Sequence, residues 1–277
     1  MRIGIVGLGL IGGTYAKCLR KYPYEIIGID ISPEVLEYAL SENIIDQGFT
    51  NPAEILRDLD VVFLCLYPDS TINFVRTHIN NFKRGAIISD VVGIKRSIID
   101  QLDVYKDDDV EFVFTHPIAG RETKGVKYSD EAIFQNANFV ITPTKSNTDE
   151  ALNLIETLAK QMGFKNITRI SDVDHDDIIA FTSQLTHAIA ISLVNSDDNK
   201  HDTSLFIGDS YKDLTRIAMI NEELWSELFI QNKDFLTKRI TSFENKLTEL
   251  KNAIATKDKD KIKEIMKESA RIRGNIK

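Results

Sequence analysis

The sequence predicts an α/β protein in which an N-terminal doubly wound sheet precedes an all-α domain. Short apolar runs alternate with amphipathic stretches as far as residue 170, as expected when helices cover both faces of a parallel sheet. Beyond that point the strand pattern stops, and apolar residues recur with helical spacing. A chain of 277 residues is long enough for two such domains. The predicted domains are therefore residues 1–170 and 171–277.

Six short apolar runs, rich in Ile, Val and Phe, are predicted to be strands. They are residues 2–6, 25–29, 60–66, 86–89, 111–115 and 139–142. The amphipathic segments between them are predicted helices, at residues 11–21, 33–41, 70–80 and 149–162. The second of these helices has the clearest start, because Ser32 is a favourable N-cap residue and Pro33 suits the first helical position.

Beyond residue 170, apolar positions keep the helical period in three segments, 176–194, 222–250 and 262–272. The second segment is long, and a long helix often buries its apolar stripe against a partner subunit rather than its own chain. We therefore expect the all-α domain to mediate a homodimer.

The composition argues against several classes of partner. Asp and Glu number 42 against 34 Lys and Arg, a formal net charge of −8, which disfavours nucleic acid binding. The two cysteines, Cys18 and Cys65, lie far apart in apolar stretches, and no two of the five histidines form an HxxxH pair, so neither a disulfide nor a metal site is predicted. No leader-like segment and no apolar run of about 18 residues is found, so we expect a cytoplasmic protein without a membrane partner.

A GxGxxG pattern lies between the first predicted strand and the first predicted helix, in the segment 3–13 (IGIVGLGLIGG). Gly7 permits a tight turn, Gly9 lets the backbone approach a pyrophosphate, and Gly12 allows the helix to pack closely on the strand. Backbone N–H groups at the start of the helix, at Leu10 and Ile11, attract the anion. The pattern and its position predict a Rossmann-type dinucleotide site.

Asp30 ends the second predicted strand at the distance downstream that this fingerprint requires. Its carboxylate can accept hydrogen bonds from ribose hydroxyls and would repel a 2′-phosphate, and no Lys or Arg follows it in residues 31–34. These features predict NAD rather than NADP. Tyr67 and Pro68 lie at the end of a later strand, and Pro68 fits either a turn beside the cofactor or an ordinary strand-ending turn.

The segment 114–120 (FTHPIAG) puts His116 at the end of a predicted strand, where open α/β sheets bind their ligands. An enzyme that removes hydride from a carbinol needs a base for the hydroxyl proton, and a neutral imidazole has a suitable pKa. Without further context, a structural histidine is the more common outcome.

Four blocks of sequence occur in an order and spacing that mark one family. They are 7–13 with Asp30, 116–120 (HPIAG) followed by Glu122 and Gly125, 183–188 (SQLTHA), and 212–218 (KDLTRIA) with Trp225. On these blocks the chain resembles the prephenate/arogenate dehydrogenase family of tyrosine biosynthesis over nearly its whole length. The resemblance implies NAD-dependent oxidative decarboxylation of a cyclohexadienol, with His116 as the base.

The resemblance also implies residues that hold a dianionic substrate. Arg216 can bind a carboxylate through its planar guanidinium group, with a simple ion pair in an acidic region as the alternative. Ser183, Gln184 and His187 share one face if their segment is helical. We expect Ser183 and Gln184 to contact the substrate and His187 to act in catalysis, through a substrate carboxylate or the nicotinamide end.

Two other residues near these blocks receive different predictions. Arg121 is a second candidate cation that would favour prephenate over arogenate, although an exposed arginine without a role fits nearly as well. His175 belongs to an acidic helix start and is predicted to lie outside the site.

The chain departs from the family pattern at two positions beside the expected chemistry. Gly93 stands where the family usually has a serine thought to orient the catalytic histidine, so Thr115 or a water is expected to substitute, or catalysis is weakened. Gln184 stands where the family usually has a histidine; it can hydrogen-bond but carries no charge.

Three alternatives to a prephenate dehydrogenase remain at this stage. Arogenate dehydrogenase activity, with tyrosine as the product, fits the same blocks. A β-hydroxyacid dehydrogenase would need a lysine on the interdomain helix, and residues 176–194 contain none. A redox-sensing module that has lost catalysis would account for Gly93 and Gln184, but the retained His116, His187 and Arg216 argue against it.

Overall fold

The computed structural model describes residues 1–105, 109–121 and 123–275. Within these residues the first half contains the strands β1 (Arg2–Val6), β2 (Glu25–Ile29), β3 (Gln47–Phe49), β4 (Val61–Leu64), β5 (Ala86–Asp90), β6 (Val110–Ile118), β7 (Asn138–Thr142) and β8 (Asn166–Arg169). They form one eight-stranded sheet in the order β3-β2-β1-β4-β5-β6-β7-β8. This is the α/β architecture that the alternating pattern predicted.

The sheet is parallel except at one pair of strands. β1 pairs in parallel with both β2 and β4, so the strand order reverses beside β1 and opens a crevice at the carboxyl ends of these strands. β6 and β7 are antiparallel, because the described part of their connection contains only short 3₁₀ turns and no crossover helix. Because β6 runs parallel to β5, its carboxyl end lies at the same edge of the sheet as this crevice.

Helices α1 (Leu10–Leu19), α2 (Pro33–Ser41), α3 (Pro68–His78), α4 (Arg96–Leu102) and α5 (Asp149–Gln161) cover the sheet. The predicted cap of α2 is present, since the Ser32 hydroxyl accepts a hydrogen bond from Val35 N at 3.2 Å. Apolar side chains fill both faces of the sheet: in β4, Val61 and Phe63 join one cluster, while the alternate residues join the other.

The second half is helical. It consists of α6 (Asp172–Ile179), a π-helical turn (Ala180–Gln184), α7 (Leu185–Asn195), α8 (Asp209–Thr215), α9 (Glu222–Gln231), α10 (Lys233–Ala255) and α11 (Lys259–Gly274). The segment Asp172–Asn195 is the one described helix whose length and apolar composition would allow it to cross a membrane. It also contains His175 and Asp176, which are both buried. The same length and composition are common in core helices of other proteins.

The observed elements differ from the predicted ones in three ways. β3 and β8 are short edge strands with few apolar residues, and α4 and α8 span only seven residues each, so all four lack a periodic signal. β6 continues through His116 to Ile118, beyond the predicted residue 115. The predicted long helix 222–250 is broken at Asn232, whose side chain turns inward and donates hydrogen bonds to Asp176 O and Gln184 Oε1.

Candidate active site

The glycine turn after β1 leaves one side of the backbone open. Gly7 has φ +85°, and a Cβ there would lie 2.6 Å from the Cys65 carbonyl oxygen. A Cβ on Gly12 would collide with the Gly7 carbonyl oxygen, because α1 packs directly on the turn. A Cβ on Gly9, by contrast, would meet no atom within 4 Å. The closely packed turn and the open face at Gly9 fit a pyrophosphate at the start of α1, where Leu10 and Ile11 begin the helix.

Asp30 lies opposite this turn at the end of β2. Its carboxylate accepts hydrogen bonds from Leu8 N at 2.8 Å and Ser32 N at 3.0 Å. These bonds fix its orientation and leave further acceptor positions on both oxygens. The predicted ribose acceptor is therefore held in place beside the predicted phosphate turn.

Tyr67 and Pro68 form the junction between β4 and α3. Pro68 is buried at the first position of α3, and the Tyr67 side chain is exposed. The Tyr67 hydroxyl accepts a hydrogen bond from the Asn221 side chain, which links this edge of the sheet to the helical half. The predicted cofactor contact of the two residues stays a prediction.

His116 is the first member of a hydrogen-bonded chain that joins the two halves. Its Nδ1 lies 2.9 Å from His175 Nε2, and His175 Nδ1 lies 2.7 Å from Asp176 Oδ1. Both residues of α6 in this chain are 1% exposed. The prediction that His175 lies outside the site is therefore wrong: it does belong to the start of α6, but its ring turns inward onto His116.

The order of this chain assigns the protons on both imidazole rings. An ionised Asp176 accepts from His175 Nδ1–H, which leaves His175 Nε2 as an acceptor. His116 Nδ1–H must then donate to His175 Nε2, and the lone pair on His116 Nε2 stays available as a base. The chain thus holds both the orientation and the tautomer that a general base requires.

Electrostatics keeps both rings neutral. Although part of its surface remains accessible, burial lowers the pKa of His116 well below the ordinary value for imidazole, and nearby His175 and Lys95 lower it further. Burial also lowers the pKa of His175, with Asp176 opposing the shift. Both rings are therefore unprotonated near neutral pH, which leaves the Nε2 lone pair of His116 available to a substrate hydroxyl.

A buried ion pair lies beneath the histidines. Lys95 Nζ lies 2.5 Å from Asp90 Oδ2, and their side chains are 0% and 2% exposed. The backbone N–H groups of Lys95 and Arg96 donate to the two carboxylate oxygens of Asp176, at 2.8 and 2.9 Å. The loop after β5 therefore holds Asp176 in place, and through it the imidazole chain.

Gly93 faces the free side of the His116 ring. A Cβ built on Gly93 would lie 3.6 Å from His116 Nε2 and 3.6 Å from Leu228 Cδ2, which are ordinary contact distances. Thr115, the hydroxyl expected to replace the missing serine, donates instead to the Asp90 carbonyl oxygen at 2.5 Å and is fully buried. That expectation is therefore wrong for Thr115, because its buried hydroxyl already donates to the backbone of β5.

The remaining predicted site residues Ser183, His187 and Arg216 lie in the helical half. His187 on α7 lies with Nδ1 2.9 Å from the Ser183 carbonyl oxygen, and its ring stacks on Trp225 with centroids 3.7 Å apart. Arg216 is exposed at the start of a 3₁₀ turn, Arg216–Ala218, that packs against α7. Ser183 contributes its backbone carbonyl to the orientation of His187. Ser183, His187 and the turn that carries Arg216 therefore lie on adjoining elements, and their contact with a substrate stays a prediction.

Gln184 lies in a different environment from the one expected of a substrate contact, whereas Arg121 is exposed, as one of its two predictions stated. Gln184 is 1% exposed; its Nε2 donates to Leu228 O at 2.9 Å and its Oε1 accepts from Asn232 at 2.8 Å. The amide holds the π turn against the α9–α10 junction, and almost none of its surface is left for a substrate. Arg121 pairs with Asp130 at 3.2 Å, with its side chain 47% exposed, so its charge is already matched. Glu122, next to it, lies outside the described residues.

His175, Asp176 and the Asp90–Lys95 pair are the site features that reasoning from the sequence missed. A signal was present in the segment 172–177 (DVDHDD), where His175 and Asp176 stand one helical turn before the apolar Ile179. The many acidic neighbours concealed it, because acidic residues are common at helix starts.

Family models match both halves of the chain. The model described as the nucleotide-binding domain of prephenate dehydrogenase matches residues 15–168, and that described as its dimerization domain matches residues 171–268. The cyclohexadienyl dehydrogenase of Zymomonas mobilis is 30% identical over 283 residues, covering 99% of this chain and 96% of the relative. The prephenate dehydrogenase of Bacillus subtilis is 26% identical over 265 residues, covering 93% of this chain and 71% of the relative.

A solved structure resembles the whole chain. It is prephenate dehydrogenase from A. aeolicus in complex with hydroxyphenyl propionate and NAD+, with 30% sequence identity and a TM-score of 0.92. The superposition covers 100% of this chain and 98% of that one.

Proposed function

Because the chain belongs to the prephenate dehydrogenase family, we propose that it oxidises and decarboxylates prephenate to 4-hydroxyphenylpyruvate with NAD, a step of tyrosine biosynthesis. The observation that carries the proposal is the base, His116, held with its Nε2 free by His175 and Asp176. It lies at the carboxyl end of β6, in the same sheet whose first turn suits a dinucleotide.

NAD would be held by the glycine turn Gly7, Gly9 and Gly12, the first amides of α1 and the Asp30 carboxylate. When bound, it supplies the acceptor for the hydride that leaves the substrate. The fixed, negatively charged Asp30 suits a free ribose hydroxyl better than a 2′-phosphate, which supports NAD over NADP.

His116 accepts the proton of the reacting hydroxyl and later returns it. As hydride leaves the ring carbon, the O–H bond weakens and its proton moves to His116 Nε2. The bond to the ring carboxylate then breaks, carbon dioxide departs, and the bonding electron pair completes the aromatic ring. The product phenol carries a proton on the same oxygen, so His116 returns what it took and no net proton is released.

Arg216, His187 and Ser183 are proposed to form the substrate wall. Arg216 binds a carboxylate with its guanidinium group, and His187, oriented by the Ser183 carbonyl and the Trp225 ring, presents Nε2 to the substrate. Local cations matter here because the net charge of −8 does not attract a dianion.

Arogenate is the second candidate substrate. The pairing of Arg121 with Asp130 supports it, because the arginine that would select the keto-acid side chain has another anionic partner. The cyclohexadienyl dehydrogenase named among the relatives carries a name that covers the ring and leaves the side chain open.

We also propose a cytoplasmic homodimer formed by the helical half. The match of residues 171–268 to a dimerization domain supports it. So does the exposure of large apolar side chains in this half, including Leu205, Phe206 and Met219 at 74%, 79% and 84%.

Turnover assays test the proposed function. Purified protein mixed with NAD and prephenate should produce NADH and carbon dioxide, with arogenate and NADP run in parallel. His116→Asn should lower kcat by about 10²- to 10⁴-fold. His201→Asn, at an exposed histidine, is the matched control and should leave kcat unchanged. Absence of NADH with both substrates would overturn the proposal.

A further inference from the structure

A cavity lies between α4 and the α9–α10 junction, away from the candidate active site. Its volume is about 290 Å³, close to the lower limit for small-molecule sites. None of its lining residues is among those assigned above to the cofactor or the substrate. All of its lining residues carry polar or charged side chains, and they include Arg96, Asp100, Gln101, Gln231, Asn232 and Asp234.

Charges of both signs line this cavity without pairing to each other. Across the part of the chain that the structure describes, Arg96, Asp100 and Asp234 form no ion pair within 4.0 Å. The Arg96 guanidinium lies over the Phe235 ring, 5.1 Å from its centroid, which fixes the cation while leaving its N–H groups available. A ligand that carries both charges could satisfy the arginine and an aspartate together.

We propose that this cavity binds a zwitterionic α-amino acid of small or medium size. The ligand carboxylate pairs with Arg96, and the ammonium group pairs with Asp100 or Asp234. A ligand lacking either charge leaves part of this wall unsatisfied. The volume of the cavity limits the side chain that can accompany the two charged groups.

The cavity wall is connected to the imidazole chain. Arg96 N donates to Asp176 Oδ2 at 2.9 Å, and Asn232 Nδ2 donates to the Asp176 carbonyl oxygen at 3.0 Å. Asp176 in turn holds His175 against His116. A ligand that shifts Arg96 or Asn232 therefore disturbs the group that orients the base, so the bound amino acid regulates turnover. This regulatory part rests on the proposed function, whereas binding does not.

Calorimetric titration of the purified full chain tests binding. The probes are L-alanine, L-glutamine, L-phenylalanine and L-tyrosine, each beside its methyl ester and its N-acetyl derivative. At least one free amino acid should bind, and both of its derivatives should bind at least about tenfold more weakly, since each lacks one charge. If none of the four binds, or if either derivative binds as well as the free amino acid, the proposal is overturned.

Variants locate the bound probe. Arg96→Met and Asp100→Asn should each weaken binding about tenfold or more, whereas Arg84→Met, at an exposed arginine outside the cavity, should not. Arg216→Met should also retain binding, because that arginine belongs to the substrate wall. Binding that is lost in Arg216→Met but kept in Asp100→Asn would place the probe in the active site and overturn the proposal. Should Arg96→Met not fold, Asp100→Asn at its exposed position decides.

Steady-state assays test the connection to catalysis. The probe that binds should change kcat with the preferred substrate at least about twofold in wild type and not in Asp100→Asn. Binding without any change in kcat would overturn the regulatory part alone. A chain inactive on both substrates would count against the proposed function, while calorimetry would still decide the cavity.

Discussion

The two halves of the molecule differ in how they bury apolar surface. The sheet half surrounds its own core, and the two core clusters draw their buried members from residues 3–114 and 126–164 with Leu228 as the one addition. The helical half, by contrast, exposes large apolar side chains on several of its elements. The first half therefore buries its apolar core within itself, whereas the second leaves large apolar side chains exposed, as is typical of a surface that contacts another protein.

This difference matters because the site uses both halves. His116 belongs to the rigid sheet, while His175, Asp176 and His187 belong to the helices. The hydrogen bonds from the loop after β5 to Asp176 fasten one half to the other. The proposed base therefore lies on the sheet, whereas the residues that orient it lie on α6 in the helical half.

The largest effect on kcat is expected from a substitution of Asp176, whose hydrogen bonds join the two halves. In Asp176→Asn an amide N–H replaces one acceptor oxygen and faces a backbone N–H donor, so His175 and His116 lose their fixed tautomers. We expect kcat to decrease by about 10²-fold or more. The KM for NAD should stay constant, because the glycine turn is remote. Asp174→Asn, on the exposed side of the same helix, is the control; an equal loss there would indicate a general weakening of α6.

The exposed apolar surface of the helical half allows a sharper test of the comparison. Leu205→Ser with Phe206→Ser should shift the dimer toward monomer, because each side chain contributes about 1.5 to 3 kcal/mol when buried, and a two-fold interface counts it twice. Val104→Ser removes a side chain that is equally exposed, at 74%, from the sheet half and should not change the assembly. Light scattering across a dilution series measures both. A monomeric wild type would contradict the contrast between the halves.

Acid should lower the free energy of unfolding, because the two buried imidazoles resist protonation in the folded state. The folded-state pKa values of His116 and His175 are lowered, so the unfolded chain binds more protons below about pH 6.5. Stability is therefore present above that pH and lost as the pH falls, by up to about 1.4 kcal/mol per pH unit for each ring. Denaturant unfolding from pH 7.5 to about 5 measures the slope. His116→Asn should reduce it, and a slope that stays the same in that variant would contradict the assignment.

The smallest effect is expected at Gly93. A side chain fits there, and a serine hydroxyl would come within hydrogen-bond reach of His116 Nε2. Gly93→Ser should raise kcat by roughly two- to tenfold by helping to place the substrate hydroxyl. Gly93→Ala adds the same Cβ without the hydroxyl and should not. Equal rates in the two variants would indicate that the added carbon, rather than the hydroxyl, is what matters.

The sequence predicted features that depend on local pattern. β1, β2 and α2 have the predicted bounds, because a short apolar run or a good cap marks their ends. The glycine turn and Asp30 face each other as the fingerprint requires. The short edge strands β3 and β8 carry no such pattern and were missed.

Contacts between distant segments were the part that could not be predicted. His175 was excluded because its neighbours resemble a solvated helix start, and only the packing of α6 against the end of β6 brings it to His116. Gln184 was expected to contact substrate, yet the break at Asn232 places a partner for its amide inside the protein. Both outcomes depend on tertiary packing, which a single sequence does not encode locally.

The stacking of Trp225 on His187 has an optical consequence. Trp225 is the only tryptophan in the chain, so emission after selective tryptophan excitation comes from a single ring, whose centroid lies 3.7 Å from that of the imidazole. Any event that protonates, moves or covers His187 should change the intensity or the emission maximum of the tryptophan fluorescence. The proposed substrate wall therefore contains its own fluorophore, and ligand binding there can be followed without a label and without turnover.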